Sequence, residues 1–325
     1  MGGFTGPSIA VVTTETRLEG VRAKYGTKSA AKFRLSMERQ HYKHKKGAVA
    51  LDDELADFDA YVEEDEQYQE SVRRVRSELQ GLGYPFIMLP KSHLPNYYFG
   101  RTVAVVVVGP DGLVANTAKY AGDLPIVGIN PAPDQIDGVL LPFRIRDARR
   151  VVRRTLEERM QISEVTLARA TLSDGQSMLA FNDFFIGRQT HVSARYVLYG
   201  KGGSEAQSSS GVIVSTGAGS TGWLSSVYNM TRGIAGNASV PETALPWDTE
   251  TLRWVVREPF QSQTTGVSLV SGSVDAATPL SMESLMPEGG VIFSDGIQSD
   301  YLEFNSGTVA DFSIAPIRSR LVVDA

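Results

Sequence analysis

The chain has 325 residues, of which 42% are hydrophobic and 21% are charged, and its formal net charge is -5. This composition is typical of a globular protein with one large domain or two, and the negative charge disfavours wholesale electrostatic binding to nucleic acid. There is no cysteine, which excludes disulfides, thiolate nucleophiles and cysteine-based zinc sites.

The first residues do not form a recognisable targeting segment. They lack a basic stretch followed by an apolar one, and Gly6 stands where an N-myristoylation signal needs Ser or Thr. No apolar run is long enough to span a bilayer. We therefore expect a soluble cytoplasmic protein that binds neither a membrane nor nucleic acid.

The chain opens with a predicted strand over residues 8–14. Arg17 follows its carboxyl end, where open α/β sheets bind ligands; it is a candidate phosphate contact, and a solvated residue at a helix start is the commoner alternative. Residues 18–46 look helical but polar, and the basic run 41–46 (HYKHKK) favours a solvated loop over a phosphate-binding flap. The acidic run 52–66 is a candidate partner for that basic run.

Strands and helices then alternate along the first half. An amphipathic helix is predicted over 68–82, where apolar residues recur at steps of three and four and a glycine ends the pattern. Short strands are predicted over 85–89 and 125–130, and a polar loop, 131–138, leads to a further strand over 139–143. This alternation predicts a parallel sheet with helices on its faces.

The stretch 102–116 (TVAVVVVGPDGLVAN) is the centre of this half. Its first seven residues form a short apolar run that ends in glycine, as in a buried parallel strand, and the spacing of 113–120 predicts a helix. A strand, a glycine turn and a helix together present backbone N–H groups to a phosphate. Because a phosphate repels a carboxylate, Asp111 indicates general-base or metal chemistry. A helix cap or turn residue is an equally open alternative.

The pattern changes near Arg144. A cationic helix is predicted over 147–160, and beyond it short strands and turns predict a β-rich domain. Residues 200–210 (GKGGSEAQSSS) are predicted to form a flexible loop and 224–231 a helix. The predicted strands are 165–172, 178–186, 193–199, 211–216, 252–256, 267–270, 291–293 and 301–304.

Residues 215–223 (STGAGSTGW) form a second glycine-rich segment, between a strand and a helix. The spacing of Gly217, Gly219 and Gly222 matches the G-x-G-x-x-G dinucleotide turn, but no βαβ unit follows, so a dehydrogenase-type Rossmann fold is rejected. Small residues still let a ligand approach the backbone, and the Ser and Thr side chains offer hydroxyls.

The pair Asn182 and Asp183 interrupts an apolar strand. Polar groups in such a position are costly unless they are satisfied. A ribose, with two adjacent hydroxyls, is a natural partner for a carboxylate and an amide. An ordinary strand end or bulge is the alternative.

In order and spacing, these segments resemble the motifs of the NAD kinase family over residues 8–305. The run from Gly109 to Gly112 (GPDG) is similar to the family's Gly-Gly-Asp-Gly motif, Asn182-Asp183 to its Asn-Glu pair, and 215–223 to its Ser/Thr/Gly-rich motif. The strand PIVGIN also fits the family. The opening VVTTETRLEGVRAKY and the third motif most resemble the mitochondrial-type branch and its bacterial relatives.

The resemblance implies a Rossmann-like α/β domain over residues 1–146 and an NAD-kinase-type, β-rich, sandwich-like domain over 147–305. A C-terminal segment, 306–325, would return to the first domain. The implied reaction moves the γ-phosphoryl group of ATP to the 2′-hydroxyl of the adenosine ribose of NAD, giving NADP. The implied assembly is a homodimer or homotetramer.

The resemblance also assigns roles to individual residues. Asp111 would accept the proton of the 2′-hydroxyl. Mg²⁺ would accompany ATP and be held by phosphates and water, so no residue is assigned as a metal ligand. The resemblance places Gly109 and Gly112 at the ATP phosphates, where Arg17, from its position after the first strand, and Asn116 are further candidates. The residues it assigns to NAD are Asn182, Asp183, Thr216, Gly219, Ser220, Thr221 and Trp223.

Four positions depart from the family pattern. Pro110 replaces a glycine and has no N–H, Leu113 replaces a threonine, Asp183 is shorter than glutamate, and Gly217 replaces a proline, which is expected to loosen the turn. These departures leave two alternatives open. One is a non-catalytic NAD(P)-binding protein of the same fold, and the other is a related kinase acting on a lipid or sugar hydroxyl.

Overall fold

The computed structural model describes residues 6–46, 58–236 and 244–324. These residues divide into two compact units. The first unit comprises the described parts of Met1–Thr117, Ile126–Gln161 and Val322–Ala325, and the second comprises Ala118–Pro125 and the described part of Ile162–Leu321. The start of the acidic run predicted over 52–66 lies outside the described residues.

The first unit is built from alternating strands and helices. Its strands are β1 (Ser8–Thr13), β2 (Phe86–Pro90), β3 (Thr102–Val108), β4 (Pro125–Asn130) and β5 (Phe143–Arg144). Its helices are α1 (Arg17–Tyr25), α2 (Lys28–Lys46), α3 (Phe58–Gln80), α4 (Asp111–Ala121) and α5 (Ala148–Leu156). The strands pair in parallel in the order β2-β1-β3-β4-β5, so the predicted parallel sheet is confirmed.

β3 is the central strand, between β1 and β4. Residues from Ala104 to Val108 have no exposed surface, because both faces of a parallel sheet are covered and the apolar run has no polar face to present to water. The predicted buried strand is therefore confirmed.

A tyrosine of α3 joins the carboxyl ends of two neighbouring strands. The Tyr68 hydroxyl accepts a hydrogen bond from Thr14 N–H at 2.9 Å and donates one to the Val108 carbonyl at 2.8 Å. These two residues follow β1 and end β3, so one hydroxyl satisfies backbone groups that the sheet leaves unpaired. Burial raises the pKa of Tyr68 to about 12, so the hydroxyl keeps its proton at neutral pH.

The second unit is β-rich; among its described residues it has one complete α-helix, α6 (Trp223–Ala235), and the end of α4, from Ala118, is counted with it. Its strands are β6 (Gln161–Leu172), β7 (Ser177–Ala180), β8 (Asp183–Arg188), β9 (Ala194–Gly200), β10 (Gly203–Ser209), β11 (Val212–Ser215), β12 (Leu252–Val256), β13 (Ser271–Val274), β14 (Leu280–Ser284), β15 (Gly290–Ser294), β16 (Tyr301–Glu303) and β17 (Val309–Val323). The end of β17, from Val322, is counted with the first unit.

Two layers of strands share one core in the second unit. One layer has the order β10-β9-β14-β17, with β6 paired to β17 and β7; the other has the order β13-β12-β11-β8-β15-β16. Phe184 of the second layer and Phe312 of the first place their rings 5.9 Å apart within this core. The predicted sandwich-like arrangement is confirmed. On its other face the six-stranded layer packs against α6 through residues such as Ile213 and Leu224.

Some predicted elements are wrong. Residues 200–210 are not a loop, because β10 pairs along its whole length with β9. The Gln207 and Ser209 side chains are buried against the Tyr196 hydroxyl, so the polar composition of β10 reflects a buried polar pairing. The basic run 41–46 is also not a loop. It continues α2, since charged residues without Gly or Pro do not end a helix.

Other predicted strands are misplaced. The strand expected over 178–186 is two strands, β7 and β8, separated by Phe181 and Asn182. The strand expected over 267–270 lies at β13 instead, and of the expected strand 139–143 only Phe143 is in a strand, β5. β14 and the long β17 were not predicted, because both are paired by residues distant in sequence.

We predict that Tyr68→Phe lowers the free energy of unfolding by about 1–3 kcal/mol, because Thr14 N–H and the Val108 carbonyl lose their partner. Chemical denaturation measures this change. Tyr98→Phe is the matched control, since Tyr98 is 82% exposed, and we expect it to change stability by less than about 0.5 kcal/mol. Equal stability of the two variants would contradict the bridging role of Tyr68.

Candidate functional site

Asp111 is the first residue of α4 and follows the central strand after a two-residue turn. Its Oδ1 accepts a hydrogen bond from Leu140 N–H at 2.8 Å, and its Oδ2 accepts one from Val139 N–H at 3.2 Å. Both donors belong to another segment, so these bonds do not cap α4. An ionised carboxylate has about four acceptor positions, and these bonds leave positions open on both oxygens.

Gly109, in the turn before α4, and Gly112, the second residue of α4, differ in the space around them. A Cβ added at Gly112 would meet no atom within 4 Å, whereas one added at Gly109 would lie 2.7 Å from Leu113 Cδ2. Leu113 is 2% exposed, which explains an apolar residue where the family has threonine: this side chain packs in the core. With Pro110 lacking an N–H, the turn offers fewer donors to a phosphate than the resemblance implies.

A cavity of about 440 Å³ in the first unit brings Arg17 together with Gly109 and Pro110. Arg17 already has a partner, because its Nε donates to Glu64 Oε2 at 2.6 Å and its guanidinium lies over the Tyr61 ring. This hydrogen bond to Glu64 raises the pKa of Arg17. A phosphate bound by Arg17 must therefore compete with Glu64.

Asn116 does not line this cavity. It is 4% exposed, and its Oδ1 has no hydrogen-bond partner among the described residues. Its assignment to ATP stays a prediction.

The second unit brings two of the predicted motifs into contact. Thr216 N–H donates to the Asn182 carbonyl at 2.9 Å, and Thr216 Oγ1 donates to the Phe181 carbonyl at 2.6 Å. Gly219 N–H donates in turn to Thr216 Oγ1 at 3.2 Å. A Cβ at Gly219 would lie 2.1 Å from the Asn182 carbonyl oxygen, so only glycine fits there. The glycine-rich segment therefore packs directly against the Asn182-Asp183 turn.

The other residues of the glycine-rich segment differ in their surroundings. Ser220 is fully buried and its hydroxyl bonds the backbone of Gly217 and Leu245, whereas Thr221 is exposed. A Cβ at Gly217 would lie 2.0 Å from the Pro246 carbonyl oxygen. Gly217 therefore does not loosen the turn as predicted, because a close backbone contact requires glycine there.

Asp295, which the sequence analysis missed, holds the Asn182-Asp183 turn in place. Its carboxylate accepts hydrogen bonds from three successive N–H groups, at 3.1 Å from Phe181, 2.6 Å from Asn182 and 3.3 Å from Asp183. Its own backbone has a positive φ of 54°. The sequence signal was present, since Asp295 and Gly296 follow a buried strand, as Asp111 and Gly112 do.

Lys119 of α4 balances the charge of Asp295. Its Nζ lies 3.7 Å from Asp295 Oδ2 and donates to Ser294 Oγ at 2.9 Å, and both charged side chains are at most 3% exposed. Burial raises the pKa of Asp295, while Lys119 and the backbone N–H donors act in the opposite direction. Ion pairing and hydrogen bonding together make this buried carboxylate tolerable.

Of the Asp111, Asp183 and Asp295 carboxylates, that of Asp183 accepts the fewest hydrogen bonds from the described residues. It is 8% exposed, and its carboxylate makes no hydrogen bond with any described residue. Burial, and then the negative charge of Asp295, raise the pKa of Asp183 to about 7. A buried carboxylate without a partner is costly, and a ligand hydroxyl is the kind of donor it lacks.

Trp223 lies apart from the Asn182-Asp183 pair, among other residues of the second unit. Its ring stacks on Phe185, with centroids 5.7 Å apart and planes at 9°, and the Arg257 guanidinium lies 5.3 Å from its centroid. Trp223 lines a cavity of about 570 Å³ that Asn182 and Asp183 do not line.

No described residues form a group of three or more His, Cys, Asp or Glu able to hold a metal ion. Among the described helices, none is both long and apolar enough to cross a membrane.

The described residues form an α/β unit, which carries Asp111, and a two-layered β unit, which carries Asp183 and Asp295. In both units these acidic residues lie next to glycine-containing segments. No family model and no curated protein sequence matches the chain. Solved structures do match it. The structure of yeast NADH kinase with NADH aligns at a TM-score of 0.56 and 14% identity, over 99% of this chain and 85% of that one.

A second solved structure gives the same result. An NAD kinase from Archaeoglobus fulgidus, in complex with ATP, aligns at a TM-score of 0.52 and 18% identity, over 77% of this chain and 88% of that one. The chain therefore has the fold of these NAD(H) kinases, which confirms the fold that the resemblance implied.

We predict that Asp295→Asn destabilises the protein by about 3–5 kcal/mol, because it removes the negative charge opposite Lys119 and weakens the bonds to three N–H groups. Combining it with Lys119→Met should cost less than the sum of the two single changes. Chemical unfolding of the wild type, the two single variants and the double variant measures both effects.

Glu250→Gln, at an exposed ion pair with Arg318, is the control and should cost less than about 1 kcal/mol. A comparable loss in that control would refute the special role of Asp295.

A second prediction concerns pH. Because the pKa of Asp183 is raised to about 7 from about 4, the folded protein binds more protons than the unfolded chain between these values. This group's contribution to stability is thus present below pH ~4 and is lost as the pH rises through 7. Between pH 5 and 8, the melting temperature of the Asp183→Asn variant should fall less than that of the wild type. Parallel pH profiles would contradict the buried, unpaired state of Asp183.

Proposed function

We propose that the protein is a kinase that transfers the γ-phosphoryl group of ATP to the 2′-hydroxyl of the adenosine ribose of NAD, giving NADP. The observation that carries this proposal is Asp111, held at the start of α4 by Val139 and Leu140 N–H with acceptor positions left open on both oxygens. The fold shared with two NAD(H) kinases supports it.

In this reaction Asp111 orients the 2′-hydroxyl and accepts its proton. The ribose oxygen forms a bond to the γ-phosphorus, and the bond from that phosphorus to the bridging oxygen of ADP breaks. Phosphoryl transfer depends mainly on alignment and on stabilising charge. A carboxylate fixed by two backbone N–H groups loses little freedom on binding, so it is suited to aligning a hydroxyl.

Asn182 and Asp183 are proposed to hold the ribose. The Asp183 carboxylate accepts no hydrogen bond from the described residues, and it directly follows a turn fixed by Asp295 and Thr216. A ribose hydroxyl donating to Asp183 would relieve the cost of that buried charge. The Asn182 amide would supply both a donor and an acceptor to the adjacent hydroxyl.

Mg²⁺ enters the proposal as part of the substrate, Mg-ATP. As the resemblance implies, the phosphates and water are proposed to supply most of its coordination. The phosphate side would comprise Gly109, Gly112 and Arg17, which requires Arg17 to exchange its bond to Glu64 for one to a phosphate.

A second candidate is a dinucleotide-binding protein without kinase activity. Two observations favour it: Pro110 cannot donate to a phosphate, and Leu113 is a buried apolar side chain that brings no hydroxyl to the turn. This candidate predicts that NAD binds but that Mg-ATP yields no phosphorylated product.

We predict that Asp111→Asn lowers kcat for NADP formation by about 10²–10⁴-fold, because an amide cannot accept the hydroxyl proton. The dissociation constant for NAD should change little. Steady-state assays with Mg-ATP and calorimetric titration with NAD measure the two quantities. Asp123→Asn is the control, because Asp123 is exposed in the loop after α4, and it should retain full activity. Near-normal turnover in Asp111→Asn would remove the assigned base.

A further inference from the structure

Helix α5 of the first unit has a row of arginines on its exposed side, which the proposed function does not use. The exposed residues of α5 are all arginines, and its buried residues are Ala148, Val151, Val152 and Thr155. A further exposed arginine lies in the turn just before the helix. Residues four apart on a helix lie on the same side. We call this surface the arginine face; it consists of Arg146, Arg149, Arg150, Arg153 and Arg154.

Acidic side chains neutralise little of the arginine face. Arg150 pairs with Asp147 at 3.0 Å and is the only arginine of the face with an acidic partner among the described residues. Arg146 and Arg153 make no hydrogen bond or ion pair with any part of the chain that the structure describes. An exposed ion pair contributes little to stability, so the pair with Asp147 does not explain the row.

A structural role accounts for two arginines of the face. Arg149 donates to the carbonyl of Gly81, just after α3 ends, where a cation is favourable beside the C-terminal end of a helix. Arg154 donates to the carbonyl of Arg159 at 3.1 Å. The other three arginines of the face have no such role.

The sequence around the arginine face is basic although the chain is acidic. Residues 144–159 contain seven arginines and three acidic residues, an excess of four positive charges, whereas the net charge of the chain is -5. A helix face that is charged only for solubility usually mixes both signs. Like charges at helical spacing repel each other, so a face of one sign indicates an anionic partner.

We propose that the arginine face binds the surface of an anionic lipid membrane by charge alone. Each arginine near such a surface strengthens binding by about fivefold, and guanidinium groups match the phosphate oxygens of lipids in bidentate geometry. The apolar side of α5 is buried, so the helix is not available to insert and binding is reversible by salt. The proposal needs neither ATP nor NAD, so it does not depend on the proposed function.

The composition of the face favours a membrane over other anionic partners. Protein interfaces depend on apolar or aromatic anchors at their centre, and single-stranded nucleic acid stacks on aromatic side chains. The exposed side of α5 has neither.

The composition of the whole chain does not oppose this binding. Screening limits electrostatic attraction to about 8 Å at physiological salt, so a bilayer responds to the charges that face it and not to the net charge. The sequence-based expectation that the chain binds no membrane rested on the lack of a long apolar run, which a surface held by charge does not need.

The test is sedimentation of the full chain with vesicles of phosphatidylcholine, alone or mixed with phosphatidylserine. We expect binding only to the mixed vesicles, and release when the salt is raised to about 1 M, where the Debye length falls to about 3 Å. The triple variant Arg146→Gln, Arg150→Gln, Arg153→Gln should bind about 100-fold more weakly. It keeps Arg149 and Arg154, which bond backbone carbonyls.

Two further triple variants serve as controls. Arg22→Gln, Arg34→Gln, Arg195→Gln changes exposed arginines outside the face and gives the same net charge, so it should bind within about twofold of the wild type. Replacing Arg146, Arg150 and Arg153 by lysine keeps the charge of the face and should retain most of the binding. Melting temperatures of all variants identify any that fail to fold.

Several outcomes would overturn the proposal. These are no binding to the mixed vesicles, binding that salt does not reverse, and equal losses in the two glutamine variants or in the lysine and glutamine variants of the face. Binding of a duplex oligonucleotide or of polyglutamate in place of the vesicles would assign the arginine face to another class of partner.

Discussion

The geometry of the second unit's candidate site depends on one buried carboxylate. Asp295 accepts three successive backbone N–H groups from Phe181, Asn182 and Asp183 and is neutralised by Lys119. These bonds hold the turn between β7 and β8, which places Asn182 on that turn and Asp183 at the first position of β8. The glycine-rich segment then packs against this turn through Thr216 and Gly219. A change in Asp295 would therefore disturb every residue proposed to bind the ribose.

The Asp111, Asp183 and Asp295 carboxylates differ in the hydrogen-bond donors and cations that surround them. Asp295 has its donors and a cation, so its role is to position other groups. Asp111 has one backbone donor for each oxygen and keeps acceptor positions open. The Asp183 carboxylate accepts no hydrogen bond from the part of the chain that the structure describes, and burial raises its pKa to about 7. The two carboxylates with unused acceptor capacity, Asp111 and Asp183, are those that we propose contact ligands, as the resemblance to the NAD kinase family implies.

Sequence patterns predicted the local features well. The apolar run of β3, its glycine turn and the parallel pairing follow from residues close in sequence. The features that the sequence patterns missed depend on contacts between residues that are distant in sequence. β10 is polar because its side chains meet Tyr196 across the strand pair. Asp295 is linked to Asn182 across more than a hundred residues, and Gly217 is required by Pro246. No local pattern contains such pairings.

We propose that the Asp111 and Asp183 carboxylates serve the phosphorylation of a nucleotide sugar. This proposal is tested by incubating the wild-type chain with Mg-ATP and a panel of NAD, NADH, simple sugars and a lipid alcohol, with the products identified by mass and the position of phosphate by NMR. We expect NAD or NADH to gain one phosphoryl group at the 2′ position of the adenosine ribose. A folded protein that phosphorylates neither dinucleotide, or that phosphorylates only a sugar or lipid, would contradict it.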